Sequence, residues 1–170
     1  MTRPQIRVLV VEDDMVDRMA CRRALVQNAD FEFIITEAES GGEGLQLAHG
    51  QKPDCVLLDF HLPDMNGLEF LAALKNDLGE IPVPVMMLTG ADNASVAVEA
   101  MRRGAQDYLV NGALDKKTLA RSIRYGIERE SIEARLKLLD SALEVASNGV
   151  VITDVNARIG WSNPAFTVLT

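Results

Sequence analysis

The feature that most restricts the fold is a regular alternation between short apolar runs and segments of helical spacing. Ile6–Val11 is a β-branched run that ends at an acidic cluster, and between Met15 and Asn28 the apolar positions Val16, Met19, Ala20 and Ala24 recur with a helical period. Phe33–Thr36 reads as a strand and Gly44–His49 as part of a short helix. Asp54–Leu58 is a third strand ending at Asp59. Beyond Pro63 and the turn-like Asn66-Gly67, Leu71, Leu74 and Leu78 mark another helix. Pro82 and Pro84 introduce a fourth strand, Val85–Leu88. Val96, Ala97, Ala100 and Met101 then stripe a helix that Gly104 closes. Tyr108–Val110 is the fifth strand, and Leu119, Ala120, Ile123 and Ile127 stripe a fifth helix.

Such a series predicts an α/β fold, a doubly wound five-stranded parallel sheet with helices on both faces. The first, third and fourth strands are continuously apolar, as burial on both faces requires. Ligand sites in open sheets of this kind lie beyond the carboxyl ends of the strands. The first strand ends in Glu12-Asp13-Asp14, the third in Asp59, the fourth in Thr89-Gly90 and the fifth in Asn111-Gly112.

Charge narrows the function classes. With 17 Lys and Arg against 25 Asp and Glu, the net charge is −8, which disfavours binding to a phosphate backbone. No apolar run approaches the ~20 residues that span a bilayer, and Met-Thr-Arg-Pro begins no secretory signal, so no membrane association and a cytoplasmic location are expected. Cys21 and Cys55 lack metal-ligand spacing and sit in apolar stretches, as buried thiols do. With only His49 and His61 present, a histidine-rich metal site is excluded.

In-register parallel strands would bring Glu12, Asp13 and Asp59 to one rim. Like charges that close raise one another's pKa unless a cation lies between them. Hard carboxylate oxygens at an open, hydrated rim suit Mg²⁺, and a carboxylate beside a loaded cation and a hydroxyl can accept a phosphoryl group. The same acids would repel a pyrophosphate after the first strand. The Gly41-Gly42-Glu43-Gly44 stretch follows the second strand and lacks the dinucleotide spacing.

These residues make the chain similar to the receiver domain of two-component response regulators, from about Ile6 to Arg129. The resemblance rests on Glu12-Asp13, on Asp59-x-x-Leu62-Pro63-x-x-x-Gly67, on Thr89-Gly90 and on Gly104-Ala105-x-Asp107-Tyr108-Leu109. It implies the flavodoxin-like receiver fold, with Asp59 as phosphoacceptor for a histidine kinase or phosphotransfer protein. It further implies Mg²⁺ held by Asp13 and Asp59, by Glu12 through water and by the backbone carbonyl of His61. Thr89 would contact a phosphoryl oxygen. Tyr108 would be the aromatic switch in a face built from the fourth helix, fifth strand and fifth helix, biasing a two-state equilibrium.

One position departs from that pattern. The family places a lysine directly after the fifth strand, where this sequence has Asn111. An amide supplies a neutral donor without charge, and losing one preorganised donor at such a site costs ~10²–10³ in rate. Phosphorylation is therefore expected to be slow or to drive the switch incompletely. The alternative is a receiver-fold interaction module with weak or lost phosphorylation. An aspartyl phosphohydrolase would want a second acid two residues after Asp59, where His61 stands. No enzyme activity is expected of this chain.

Residues 4–129 thus form the expected receiver. Residues 130–147 read as a helical linker, because Ile132, Leu136, Leu139, Leu143 and Ala146 repeat at 4-3-4-3 spacing, which suits either a two-heptad coiled-coil seam that offers a homodimer or an amphipathic helix folded back on the receiver. Residues 148–170 resemble the opening of a PAS sensory domain, through Ile152-Thr153-Asp154 and Asn163-Pro164-Ala165-Phe166. A lone hairpin is marginal in water, so the chain is expected to be the N-terminal part of a longer signalling protein with a C-terminal output.

Overall fold

Burial on both faces shapes the centre of the sheet. The computed structural model describes residues 3–90, 94–110 and 116–169, and the side chains of all of these except 94, 116 and 167–169. Its elements are β1 (Gln5–Val11), α1 (Met15–Val26), β2 (Glu32–Ala38), α2 (Gly41–Gln51), β3 (Cys55–Asp59), α3 (Gly67–Leu74), β4 (Val85–Thr89), α4 (Ala94–Arg102), β5 (Asp107–Val110) and α5 (Lys116–Glu144). The strands pair in the order β2-β1-β3-β4-β5, all parallel. The chain leaves β1 toward one edge and β3 toward the other, so the switch point lies between β1 and β3.

Every residue of β3 and β4 is buried. Alternate residues feed two core layers, as the strand period of two dictates. Leu9, Val11, Val56, Leu58, Val85 and Met87 pack with Phe70, Leu71 and Leu74 of α3, Ala48 of α2 and Ala100 of α4. Val8, Val10, Leu57, Met86 and Leu88 pack with Cys21 and Leu25 of α1 and with Leu119 and Ile123 of α5. Both cysteines are free and buried.

Helix starts are fixed by polar caps. The Asp14 carboxylate accepts hydrogen bonds from the amides of Val16 and Asp17, at 2.7 and 3.1 Å. Asn66 is the N-cap of α3 in a capping box with Glu69, and not merely a turn residue. Gly41-Gly42-Glu43-Gly44 is the first turn of α2, behind Ser40 as N-cap.

Two apolar stripes differ from the sequence reading. In α1, Val16, Met19 and Ala20 are exposed, and the inward face carries Arg18, Cys21, Ala24 and Leu25. The Arg18 guanidinium turns that face inward by donating to the Glu12 and Asp13 carbonyls, at 2.6 and 3.2 Å, and to the Glu39 carboxylate at 2.7 Å. Leu78 lies outside α3 and is exposed. The Asn76 side chain accepts from the amides of Leu78 and Glu80, building a turn in place of another helical turn.

The chain divides into two compact units, Met1–Glu128 and Arg129–Thr170, with α5 contributing to both. The second unit also contains the antiparallel pair β6 (Val151–Thr153) and β7 (Ile159–Ser162), then α6 (Pro164–Leu169). Asn163 is fully buried there. Its amide group donates to the carbonyls of Leu143, Ala146 and Asn148, and its oxygen accepts from the amides of Val150 and Phe166. One side chain thereby satisfies carbonyls at the end of α5 and joins them to the hairpin. No helix among the described residues is long and apolar enough to cross a membrane.

Two glycines of α2 test the packing. A Cβ on Gly44 would come within 2.8–3.0 Å of Val11 and Phe70, whereas one on Gly50 would meet nothing within 4 Å. Gly50→Ala is expected to stabilise by up to about 1 kcal/mol through helix propensity. Gly44→Ala is expected to lose up to about 2 kcal/mol, because overpacking of about 1–3 kcal/mol outweighs a propensity gain of about 1 kcal/mol. Urea denaturation of both variants checks the opposite signs.

Candidate functional site

Sheet register assembles the site. Val11 pairs with Leu58, so the chain reaches Glu12 on one strand as it reaches Asp59 on the next. Asp59 pairs with Leu88, which sets Thr89 one step further along the rim, and Thr89 pairs with Val110. Carboxylate oxygens of Glu12, Asp13 and Asp59 all lie within 4.8 Å of one another. Glu12, Asp59 and Thr89 are buried, while Asp13 is exposed. The sequence grouped these acids, and the structure brings them together.

Glu12 is the most constrained member. Its Oε1 accepts from the Asp14 amide at 3.1 Å, while Oε2 is buried with no hydrogen-bond partner. Burial, reinforced by the charge of Asp59, pushes its carboxyl up to about 7 against the pull of the Asp14 amide. Burial also raises the Asp59 carboxyl, with Asp13 adding to the effect and the His61 and Phe60 amides opposing it. The His61 amide donates to Asp59 Oδ2 at 2.9 Å. His61 also forms an isolated bridge with Asn66, and its ring meets Phe60 edge-on at 4.8 Å.

The loop after Asp59 is tied at several points. The Gly67 amide donates to the Phe60 carbonyl and the Leu62 amide to the Met65 carbonyl, at 2.8 and 3.2 Å. Asp64 extends from this loop to α2, where both carboxylate oxygens accept from the Gly41 and Gly42 amides at 2.8 Å. Those amides hold the Asp64 carboxyl below the usual carboxylate range. Tyr108 on β5 is 46% exposed, with its ring outside the core. Asn111 lies outside the described residues, and Lys117 is exposed on α5.

Two supporting residues were not selected from sequence. Arg18 is buried behind the acidic loop and holds the Glu12 and Asp13 carbonyls. Its only sequence signal is a cation five residues after the acidic pair. Asp64 is the other, and nothing in its spacing announces a cap on a distant helix.

A family model, the response regulator receiver domain, matches residues 8–124. The chain belongs to this family. Receiver domains are regulatory phosphoacceptors that bind Mg²⁺ at an acidic pocket, which here corresponds to the Glu12, Asp13 and Asp59 cluster. Protein PilH of Pseudomonas aeruginosa is 33% identical over 117 residues, covering 69% of this chain and 93% of PilH. Response regulator MprA of Mycolicibacterium vanbaalenii is 34% identical over 116 residues, or 68% of this chain. The match spans only 48% of MprA, about half its length. A CheY-like receiver domain protein from Methanospirillum hungatei superposes with a TM-score of 0.61 at 26% identity, over 78% of this chain and 99% of that one.

The raised carboxyl of Glu12 gives a pH test. In the unfolded chain this group ionises near its ordinary value of 4.5, whereas the folded protein holds the proton up to about 7. Between those values the folded state binds more protons, so its stability falls as pH rises. In chelator, the protein is expected to lose about 1–2 kcal/mol more than Glu12→Gln between pH 5 and pH 8, allowing for screening at the rim. Thermal melts of the two proteins at both pH values measure the difference.

Proposed function

We propose that this chain is a Mg²⁺-dependent phosphoacceptor switch, in which a histidine kinase or phosphotransfer protein phosphorylates Asp59. The observation that carries the reading is the convergence of three carboxylates around a buried Glu12 oxygen with no hydrogen-bond donor. An uncompensated buried acceptor favours a cation or its bound water. Oxygen-only donors at an open rim fit Mg²⁺. Asp13 and Asp59 would hold the ion directly, Glu12 through water and His61 through its carbonyl. Bound there, the ion would neutralise negative charge on the transferring group.

The protein's own residues supply the rest. An Asp59 carboxylate oxygen forms the new bond to phosphorus as the bond to the donor imidazole nitrogen breaks. That nitrogen keeps the electron pair, and with a proton already on its other ring nitrogen the donor imidazole leaves neutral. The His61 amide fixes the Asp59 carboxylate, and the Thr89 hydroxyl donates to a phosphoryl oxygen. Thr89 and Tyr108 then bias the face of α4, β5 and α5 between two arrangements, and α5 carries the change toward a C-terminal output. Residues 4–129 would be the receiver, 130–147 the linker and 148–170 the opening of a PAS domain. The β6–β7 hairpin and the Pro164-led helix support that last assignment. A cytoplasmic location accords with the charge and with the kinase partner.

Asn111 favours a second reading, a receiver-fold interaction module that is phosphorylated weakly. Beryllofluoride with Mg²⁺ separates the two: binding with a change in Tyr108 environment supports the switch, and binding without it supports the module. Acetyl phosphate and Mg²⁺ are expected to label the chain slowly, and Asp59→Asn is expected to abolish labelling. Asn111→Lys is expected to accelerate labelling by ~10²-fold. Phosphate incorporation read on acid-stable gels tests all three, and equal labelling of Asp59→Asn would overturn the assignment.

A further inference from the structure

Among the described residues, an apolar helical face of the second unit lies exposed. Ile132, Leu136 and Leu139 are 60%, 59% and 53% exposed, and Leu143 and Ala146 are half-buried. Their 4-3-4-3 spacing places Leu136 and Leu143 at a positions of a heptad, and Ile132, Leu139 and Ala146 at d positions. Leu138 and Val145, also exposed, fall at c positions on the flank.

The charges beside this seam decide what covers it. Glu133 and Asp140 occupy e positions, and Arg135 and Ala142 occupy g positions. Glu133 is paired within its own helix to Arg129 at 2.9 Å. Among the described residues neither Arg135 nor Asp140 forms an ion pair. In a parallel two-stranded arrangement each g position faces the e position five residues later in the other helix, which sets Arg135 opposite Asp140 twice. An antiparallel arrangement would instead bring e positions against e positions, setting the acidic Glu133 and Asp140 against each other.

We propose that Ile132, Leu136, Leu139 and Leu143 form the seam of a parallel, in-register contact with a second copy of this chain, with Arg135 of each helix facing Asp140 of the partner subunit. This deepens the reading of α5 as the element that leads to an output, and it rests on that reading for its signalling meaning alone. Two heptads fall short of the three or four that secure a stable coiled coil, so the association is weak and concentration-dependent. A pair of receivers joined in this way would send two helices in the same direction into the following module.

Sedimentation velocity of the full chain over a concentration series is expected to reveal a monomer–dimer equilibrium. Arg135→Asp and Asp140→Arg each set like charges at both contacts, and each is expected to weaken dimerisation about fivefold or more. The double reversal is expected to restore it. Both positions are exposed, so the fold of the protomer is unaffected. Ile132→Cys is expected to cross-link to its counterpart under mild oxidation, a bond that only the parallel arrangement permits. Cys21 and Cys55 are buried with burial-raised pKa values and do not compete. A chain monomeric up to millimolar concentration, its seam then covered by another segment or protein, overturns the proposal. So does a dimer indifferent to the charge reversals, or one in which Ile132→Cys stays reduced. Acetyl phosphate labelling of the same variants reports separately on the phosphoacceptor reading.

Discussion

Everything at the rim depends on a repulsion that the core enforces. Burial of β3 on both faces leaves no tolerance for a register slip, since a shift by one residue would exchange its two apolar layers. With β1 and β3 locked in register, carboxylates from both strands emerge within 4.8 Å of one another. Burial and mutual charge then raise the carboxyls of Glu12 and Asp59. The core thus stores an electrostatic demand that a cation is suited to meet. Arg18 stabilises the loop from behind through its carbonyls, leaving the three carboxylates to face the rim.

The loop after Asp59 adds positional control. It is closed on itself by the Gly67 amide, capped into α3 by Asn66 and attached to α2 by Asp64. Gly67 also sits where a Cβ would approach Met87 and the Phe60 backbone. Residues that read in sequence as a motif around one aspartate therefore act mostly as fasteners. They fix where the His61 amide and carbonyl lie relative to Asp59. The chemistry of one carboxylate is set by backbone geometry that three neighbouring elements share.

The strands and the acidic rim were legible because they obey short-range rules. Continuous apolar runs announced β3 and β4, and the acids directly after β1 and within β3 announced the site. The inward face of α1 was not legible, because its decisive residue is Arg18. A cation reads as solvent-facing until the carbonyls of Glu12 and Asp13 are seen to need a donor. Leu78 continued an apolar stripe, but Asn76 ended the helix by a local side-chain bond that periodicity does not register. Asp64 acts across more than twenty residues of sequence, beyond any local pattern. At Asn111 the reading rests on sequence alone.

The buried Asn163 has a mechanical consequence. All of its polar capacity is committed, with three carbonyls accepting from one end and two amides donating to the other. Such a joint has no slack: loosening the tail of α5 from the hairpin would strand several dry dipoles together. Torsion in that last turn is therefore passed on to β6 and α6 as a rigid coupling would pass it, until the whole knot gives way at once.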